Sequence, residues 1–99
     1  MKDSFSNIID AASPVLVDFY AEWCGPCKVL GSILGEVKEA LGATIKIVKI
    51  NVDKNQPLAS KYQVKGVPTL ILFKEGKQLW RQSGVLQKNE LVSIINSYQ

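Results

Sequence analysis

The chain has 99 residues, of which 46% are hydrophobic and 21% charged, and its net charge is +3. This length predicts one domain over residues 1–99, and the composition is that of a soluble globular protein rather than a disordered chain or a disulfide-rich toxin. No apolar run approaches the ~20 residues of a membrane-spanning helix, and no secretory signal is recognisable. Eleven of the twelve basic residues are lysines without a cluster, which disfavours nucleic-acid binding.

The N-terminal part of the chain predicts a short helix followed by a buried strand. Four apolar side chains recur there at helical spacing: Phe5, Ile8, Ile9 and Ala12. Asp3 or Ser4 is suited to cap this helix, and Ser13-Pro14 ends it. Val15 to Tyr20 is a nearly continuous apolar run, which is typical of a central strand covered on both faces.

A long helix and a second strand are predicted next. The helix follows Cys24-Gly25-Pro26-Cys27, and its apolar stripe consists of Val29, Leu30, Ile33, Leu34, Val37 and Leu41. Gly42 is a suitable C-terminal stop for this helix. Ile45 to Val52 is rich in β-branched residues and predicts a strand.

The remaining chain predicts a short helix, a hairpin and a final helix. Asn55 to Tyr62 is the short helix, with Asn55 as its cap and Pro57 in its first turn. Thr69 to Phe73 is an apolar strand, and Lys77 to Gln82 is a more polar edge strand. The final helix has its stripe at Leu91, Ile94, Ile95 and Tyr98.

The element order α-β-α-β-α-β-β-α predicts an α/β fold of three layers, α/β/α, with four helices around a mixed sheet of about four strands. Strands that are joined through helices are expected to be parallel, and the last two strands to form an antiparallel hairpin.

The two cysteines form a C-x-x-C at the junction of a strand and a helix. A helix N-terminus offers free N–H groups and a partial positive charge, which stabilise a thiolate. We therefore expect Cys24 to be the nucleophile, with a lowered pKa, and Cys27 to be the resolving thiol. Pro26 fixes the first helical turn, and Gly25 lets another chain approach.

Three interpretations compete for this cysteine pair. A structural disulfide would stabilise little, because a bridge across two residues closes almost no loop. A zinc site needs about four ligands, whereas the chain has two cysteines and no histidine. Reversible dithiol–disulfide exchange agrees with the spacing, the position and the number of cysteines, and the sequence favours it.

Six segments of the chain resemble the thioredoxin family in order and spacing. They are Val17–Glu22 (V-D-F-Y-A-E), Trp23–Lys28 (W-C-G-P-C-K), Lys49–Asp53 (K-I-N-V-D), Gly66–Leu70 (G-V-P-T-L), Phe73–Gly76 (F-K-E-G) and Ser83–Val85 (S-G-V). The resemblance covers nearly the whole chain from Phe5 and implies the thioredoxin fold.

The acid within the first strand gains a role from this resemblance. Asp18 interrupts an apolar run. If its carboxyl is buried, the burial is costly unless the group has a partner, and desolvation raises its pKa. The alternative is that the side chain points to a solvated edge. The resemblance implies that Asp18 accepts the proton of Cys27 and that Lys49 is its partner cation.

The resemblance also implies a substrate-binding surface around the nucleophile. It implies a cis bond between Val67 and Pro68, whereas trans is the ordinary state of an X-Pro bond. The backbone of Val67 would pair with an extended substrate segment. The implied groove is shallow and apolar, and it is lined by Trp23, Gly66, Val67 and Gly84. Without the resemblance, Gly84 reads equally well as a turn at the end of a strand.

The function implied is that of a protein-disulfide reductase that binds no cofactor and no metal. Its electrons would come from NADPH through a thioredoxin reductase, its other partners would be disulfide-containing proteins, and it would work in the cytoplasm. Two rivals remain: a non-catalytic binding module, and an oxidase or isomerase. The Gly25-Pro26 dipeptide favours a reductant by its resemblance to the family, because the residues between the cysteines help to set the reduction potential.

The sequence departs from the family pattern in two places. Family members usually carry a strand before the first helix, where only Met1 to Ser4 precede it here, so we expect Ile45 to Val52 to be an exposed edge. Such an edge permits reduced stability or dimerisation, although a monomer is the main expectation. The active-site helix has Gly31-Ser32 where a proline is common, which predicts a weaker kink.

Overall fold

The computed structural model describes residues 4–99, which form four α-helices and four β-strands. In chain order they are α1 (Ser4–Ile9), β1 (Val15–Tyr20), α2 (Gly25–Leu41), β2 (Lys46–Asn51), α3 (Gln56–Lys61), β3 (Thr69–Lys74), β4 (Lys77–Ser83) and α4 (Lys88–Ser97). A 3-10 turn, Gly42–Thr44, connects α2 to β2. Within residues 4–99, no helix is both long enough and apolar enough to cross a membrane.

The strands form one mixed sheet in the order β2-β1-β3-β4. β1 is parallel to β2 and antiparallel to β3, and β3 is antiparallel to β4. The expectation of parallel strands across a helix is therefore confirmed for β1 and β2 but wrong for β2 and β3. Asn51 lies beside Tyr20 and Thr69 beside Phe19, so β2 ends where β3 begins. The six residues of α3 span only about 9 Å, too short to return along a strand of about 20 Å.

The two faces of the sheet carry separate apolar clusters, which confirms the three-layer architecture. α2 and α4 cover one face, and the buried side chains there include Leu16, Leu30, Leu34, Leu70, Leu91 and Ile95. α1 and α3 cover the other face, where the buried side chains are Phe5, Ile9, Val15, Val17, Phe19, Ile71 and Phe73. β1 and β3 are buried on both faces, as their continuous apolar runs predict.

One member of the predicted apolar stripe on α2 is on the wrong side of the helix. Val29 is 55% exposed, whereas the buried side chains of α2 are Cys27, Leu30, Leu34 and Val37. Each residue advances about 100° around a helix, which turns Val29 away from the core that Leu30 enters. The end of α2 at Gly42 is confirmed, since Gly42 has a positive φ of 57°.

Two expectations about helix ends also need correction. α1 ends at Ile9 and Ala12 is exposed, because the β3–β4 turn binds carbonyl groups at and after the helix end: the N–H of Gly76 donates to the carbonyl of Ile9, and the N–H of Glu75 donates to that of Ala11. Asn55 occupies the cap position of α3, but its side chain accepts no hydrogen bond from that helix. Its amide donates instead to the carbonyl of Asn51 at 3.0 Å. The alternative cap of α1, Asp3, lies outside the described residues.

Candidate active site

The two cysteines occupy the first turn of α2. Cys24 is the N-cap residue, and its Sγ accepts a hydrogen bond of 3.1 Å from the backbone N–H of Cys27. The Cα atoms are 5.2 Å apart and the two sulfurs are joined in a disulfide. Pro26, between them, lies in the first helical turn, where its missing N–H has no helical partner to lose. The helix N-terminus therefore directs its free N–H groups toward the sulfur of Cys24.

The loop before β3 lies against the disulfide. The Val67–Pro68 peptide bond is cis, as the resemblance implies. The carbonyl oxygen of Val67 is 3.8 Å from Cys24 Sγ, and Val67 packs against the buried cluster of Ala21, Cys24 and Cys27. A partly exposed backbone is thus placed beside the sulfur that a substrate must reach.

Side chains and backbone groups of β3 and β4 hold this loop. Thr69 Oγ1 donates to the carbonyl of Gly66 at 2.7 Å and lies 2.8 Å from Ser83 Oγ. The N–H of Gly84 donates to the carbonyl of Pro68 at 2.9 Å. Gly84 has φ 95°, a backbone region that favours glycine, so it is a turn at the end of β4 and also part of the loop's support.

Apolar side chains are exposed at Trp23, which precedes Cys24, and at Val85, which follows the glycine that binds the Pro68 carbonyl. Trp23 is 73% exposed, and its indole Nε1 donates to Asp53 Oδ2 at 2.9 Å, which holds the ring beside Cys24. Val85, the residue after Gly84, is 36% exposed. Exposed aromatic and aliphatic side chains of this kind are suited to contact another protein chain.

Asp18 is buried beneath the active-site helix. Its side chain is 1% exposed and its Oδ1 has no hydrogen-bond partner among the described residues, so the solvated-edge interpretation is wrong. Burial raises the pKa of Asp18 to about 6, against the opposing effect of the Lys49 ammonium. Asp18 and Cys27 both line a cavity of about 570 Å³, and its other lining residues are Tyr20, Ala21, Glu22, Lys28, Gly31, Ser32 and Lys49.

Lys49 approaches this cavity from the neighbouring strand. It is the register partner of Asp18 in the parallel β1–β2 pair, so both side chains are on the α2 face of the sheet. A Cβ atom on Gly31 would lie 3.2 Å from Lys49 Nζ. The glycine at that position of α2 thus leaves room for the ammonium group of Lys49 at the cavity that Asp18 also lines.

Replacing Lys49 by Met is expected to raise the pKa of Asp18 above about 6, because the ammonium that favours the charged carboxylate is lost. The carboxyl carbon of Asp18, followed by NMR as a function of pH, measures this midpoint. Lys46→Met is the matched control, since Lys46 is on the same strand but on the opposite face. An unchanged midpoint in Lys49→Met would show that Lys49 does not act on Asp18.

A cysteine pair at a helix N-terminus, beside a partly exposed loop backbone and above a buried carboxyl, defines a thiol–disulfide oxidoreductase. Within residues 4–99 no three side chains of the metal-binding types are grouped to hold a metal ion. The thioredoxin family model matches residues 1–97. The chain belongs to the thioredoxin family, and it is an enzyme whose redox-active group is the Cys24–Cys27 pair.

Similar proteins include a thioredoxin of Rickettsia conorii, 43% identical over 97 residues, which are 97% of this chain and 92% of that protein. Thioredoxin Y2, chloroplastic, of Arabidopsis thaliana is 50% identical over 98% of this chain and 59% of its own length. Among solved structures, a mutant thioredoxin from Halobacterium salinarum NRC-1 has a TM-score of 0.88 and 39% identity. That match covers 99% of this chain and 85% of the other.

Proposed function

We propose that the protein is a protein-disulfide reductase. The Cys24 thiolate attacks one sulfur of a partner's disulfide; that bond breaks, a mixed disulfide forms, and the partner's other sulfur leaves as a thiolate. Cys27 then transfers its proton to Asp18 and attacks Cys24 Sγ. The mixed disulfide breaks, the second partner thiolate leaves, and the enzyme retains the Cys24–Cys27 disulfide. The partner gains the two electrons that the dithiol loses.

The different surroundings of the two sulfurs support this division of roles. Cys24 Sγ is at the N-cap of α2, where it accepts the Cys27 N–H and lies beside the Val67 carbonyl. Cys27 lines the cavity that also contains Asp18. Of the two cysteines, Cys27 lines the cavity with the buried carboxyl of Asp18 and Cys24 is not among its described lining residues, and this observation carries the proposal. With a pKa of about 6, Asp18 is mostly ionised at neutral pH and able to accept a proton.

The loop and the exposed apolar residues support binding of an extended protein segment. The backbone of Val67 would pair with the substrate main chain as in strand addition, beside Cys24. The rest of the groove would consist of Trp23, Gly66 and Gly84. The buried Pro68 would fix the backbone at its base. Gly66 and Trp23 are exposed, while Val67 and Gly84 are half-buried. Gly25, exposed between the cysteines, would let the substrate approach the sulfurs.

We further infer that the oxidised protein is reduced again by a thioredoxin reductase with electrons from NADPH, while this chain binds no cofactor itself. A dithiol that donates electrons is maintained in a reducing compartment, and we therefore place the protein in the cytoplasm. We infer one thioredoxin domain over residues 1–99.

We also infer that this domain is a monomer, although its sheet has an open edge. Within residues 4–99, β2 has a neighbour on one side only, which is the edge that the sequence predicts. The exposed lysines of β2, Lys46 and Lys49, oppose edge-to-edge pairing. Sedimentation equilibrium is expected to give the mass of a single chain. A dimer with concentration-dependent amide protection along Lys46–Asn51 would contradict this expectation.

The reductase proposal is tested by reduction of the disulfides of insulin with dithiothreitol, or with NADPH and a thioredoxin reductase, as electron source. We expect catalytic turnover with both electron sources. In the assay with the thioredoxin reductase, one NADPH is expected to be consumed for each disulfide reduced. Stoichiometric binding of a partner without turnover would instead identify a binding module. Turnover with dithiothreitol alone would retain the reductase and contradict the recycling partner.

A further inference from the structure

The short helix α3 ends in an unusual way, close to the active-site loop. After Lys61 the N–H of Gln63 donates to the carbonyl of Ser60 at 3.0 Å, and the N–H of Val64 donates to the carbonyl of Ala59 at 2.9 Å. These two bonds form a Schellman motif. Gln63 occupies its left-handed position with φ 54°, where glycine is usual. This end of α3 therefore needs support from elsewhere in the fold.

A guanidinium from β4 supplies that support. Arg81 Nη1 donates to the carbonyl of Tyr62, and Arg81 Nη2 donates to the carbonyl of Gln63 at 2.8 Å. Arg81 is the chain's single arginine among twelve basic residues. Its rigid fork satisfies two adjacent carbonyls at once, whereas a lysine offers only a point charge. A cation is also favourable at the C-terminal end of a helix.

β4 also holds the far end of residues 62–68, the segment that follows α3. Ser83 is two residues after Arg81, so both side chains are on one face of β4. Ser83 Oγ lies 2.8 Å from Thr69 Oγ1, which in turn donates to the carbonyl of Gly66. Residues 62–68 are therefore attached to β4 at both ends, with Val67 close to the second attachment.

We propose that Arg81 is a positioning residue for the Val67 loop, and that it makes the enzyme selective for disulfides within a polypeptide. This inference rests on the proposed pairing of the Val67 backbone with substrate. Without the hydrogen bonds of the Arg81 guanidinium, the end of α3 is free to shift, and the Val67 backbone is less well placed to pair with the substrate main chain. A small disulfide without a peptide backbone needs only Cys24 and is insensitive to that change.

The test compares Arg81→Met with Arg81→Lys and with Lys77→Met, a control that removes an exposed charge from the same strand. Each variant reduces insulin, a polypeptide substrate, and dithiobis(nitrobenzoate), a small aromatic disulfide. Arg81→Met is expected to raise KM for insulin about 3- to 10-fold, with kcat/KM for the small disulfide within about twofold. Arg81→Lys should recover part of the loss, and Lys77→Met should match the unmodified protein.

Hydrogen exchange gives a second, substrate-independent readout. Amides of residues 64–67 are expected to exchange faster in Arg81→Met, while those of β1 keep their protection. Equal losses on both substrates, or unchanged KM and unchanged exchange, would overturn the role of Arg81. If Arg81→Met does not fold, Arg81→Lys and Arg81→Gln decide the question by the same two readouts. Failure of the unmodified protein on insulin would overturn the proposed function and the selectivity together, whereas a failure confined to Arg81→Met concerns Arg81 alone.

Discussion

Cys24→Ser is expected to lower disulfide reduction by about 10³-fold or more, because a serine hydroxyl at the cap of α2 is a far weaker nucleophile than a thiolate. Cys27→Ser is expected to stop turnover at the second step, the release of substrate from the mixed disulfide. Cys24 is still present in that variant, so it attacks the substrate and the mixed disulfide accumulates. The measurement is mass spectrometry of the unreduced adduct together with the rate of insulin reduction.

The pair of variants distinguishes the two sulfurs. Both replacements remove the intramolecular disulfide, so each is the other's control for the effect on the fold. The proposed roles predict a stable adduct with Cys27→Ser and none with Cys24→Ser. Adducts in the reverse order would assign the attack to Cys27 and contradict the role of the α2 N-terminus.

Asp18→Asn is expected to stabilise the disulfide form at neutral pH while slowing the catalytic cycle. The pKa of the buried carboxyl is about 6, against 3.8 for an ordinary aspartate carboxyl. The folded protein therefore holds this proton more tightly than the unfolded chain does. Stability contributed by the group is highest below about pH 4, falls as the pH rises to about 6, and is constant above it. The difference amounts to about 3 kcal/mol, and Asp18→Asn should recover up to that amount at pH 7.

Denaturant unfolding between pH 4 and pH 8 measures the stability effect. Glu36→Gln is the matched control, since Glu36 is exposed on α2. The resolving step should be about 10²-fold slower in Asp18→Asn, because Cys27 loses its proton acceptor. A variant with the pH dependence of the unmodified protein, or with an unchanged rate of release from the mixed disulfide, would contradict the account of Asp18.

The order and type of the elements could be predicted because the apolar periods are long and unambiguous. β1 and β3 are apolar on both faces, and the alternation of helices and strands fixes the layers. The direction of β3 relative to β2 is not predicted correctly this way, because the rule of parallel strands assumes a helix long enough to return along a strand, and the six residues of α3 are too few. Val29 is wrongly included in the buried stripe predicted for α2, because an exposed apolar residue has the same sequence signal as a buried one.

Within the site, the cysteine pair is recognisable because its spacing and its place at a helix N-terminus are both local. The burial of Asp18 follows from its position within an apolar strand. The bonds of Arg81 to Tyr62 and Gln63, and of Trp23 to Asp53, join residues 18 to 30 positions apart. Their pairing depends on sheet register and loop path, for which the sequence carries no comparable signal.

The central claim, that this dithiol donates electrons to protein disulfides, is tested most directly by its reduction potential. The protein is equilibrated in glutathione buffers of graded ratio, and the fraction of Cys24–Cys27 disulfide is measured after acid quenching, with Cys24→Ser as the blank. We predict a potential at least about 30 mV below that of the glutathione couple, equivalent to about 1.4 kcal/mol in favour of donating electrons. A potential well above the couple would contradict the account and identify an oxidase or isomerase.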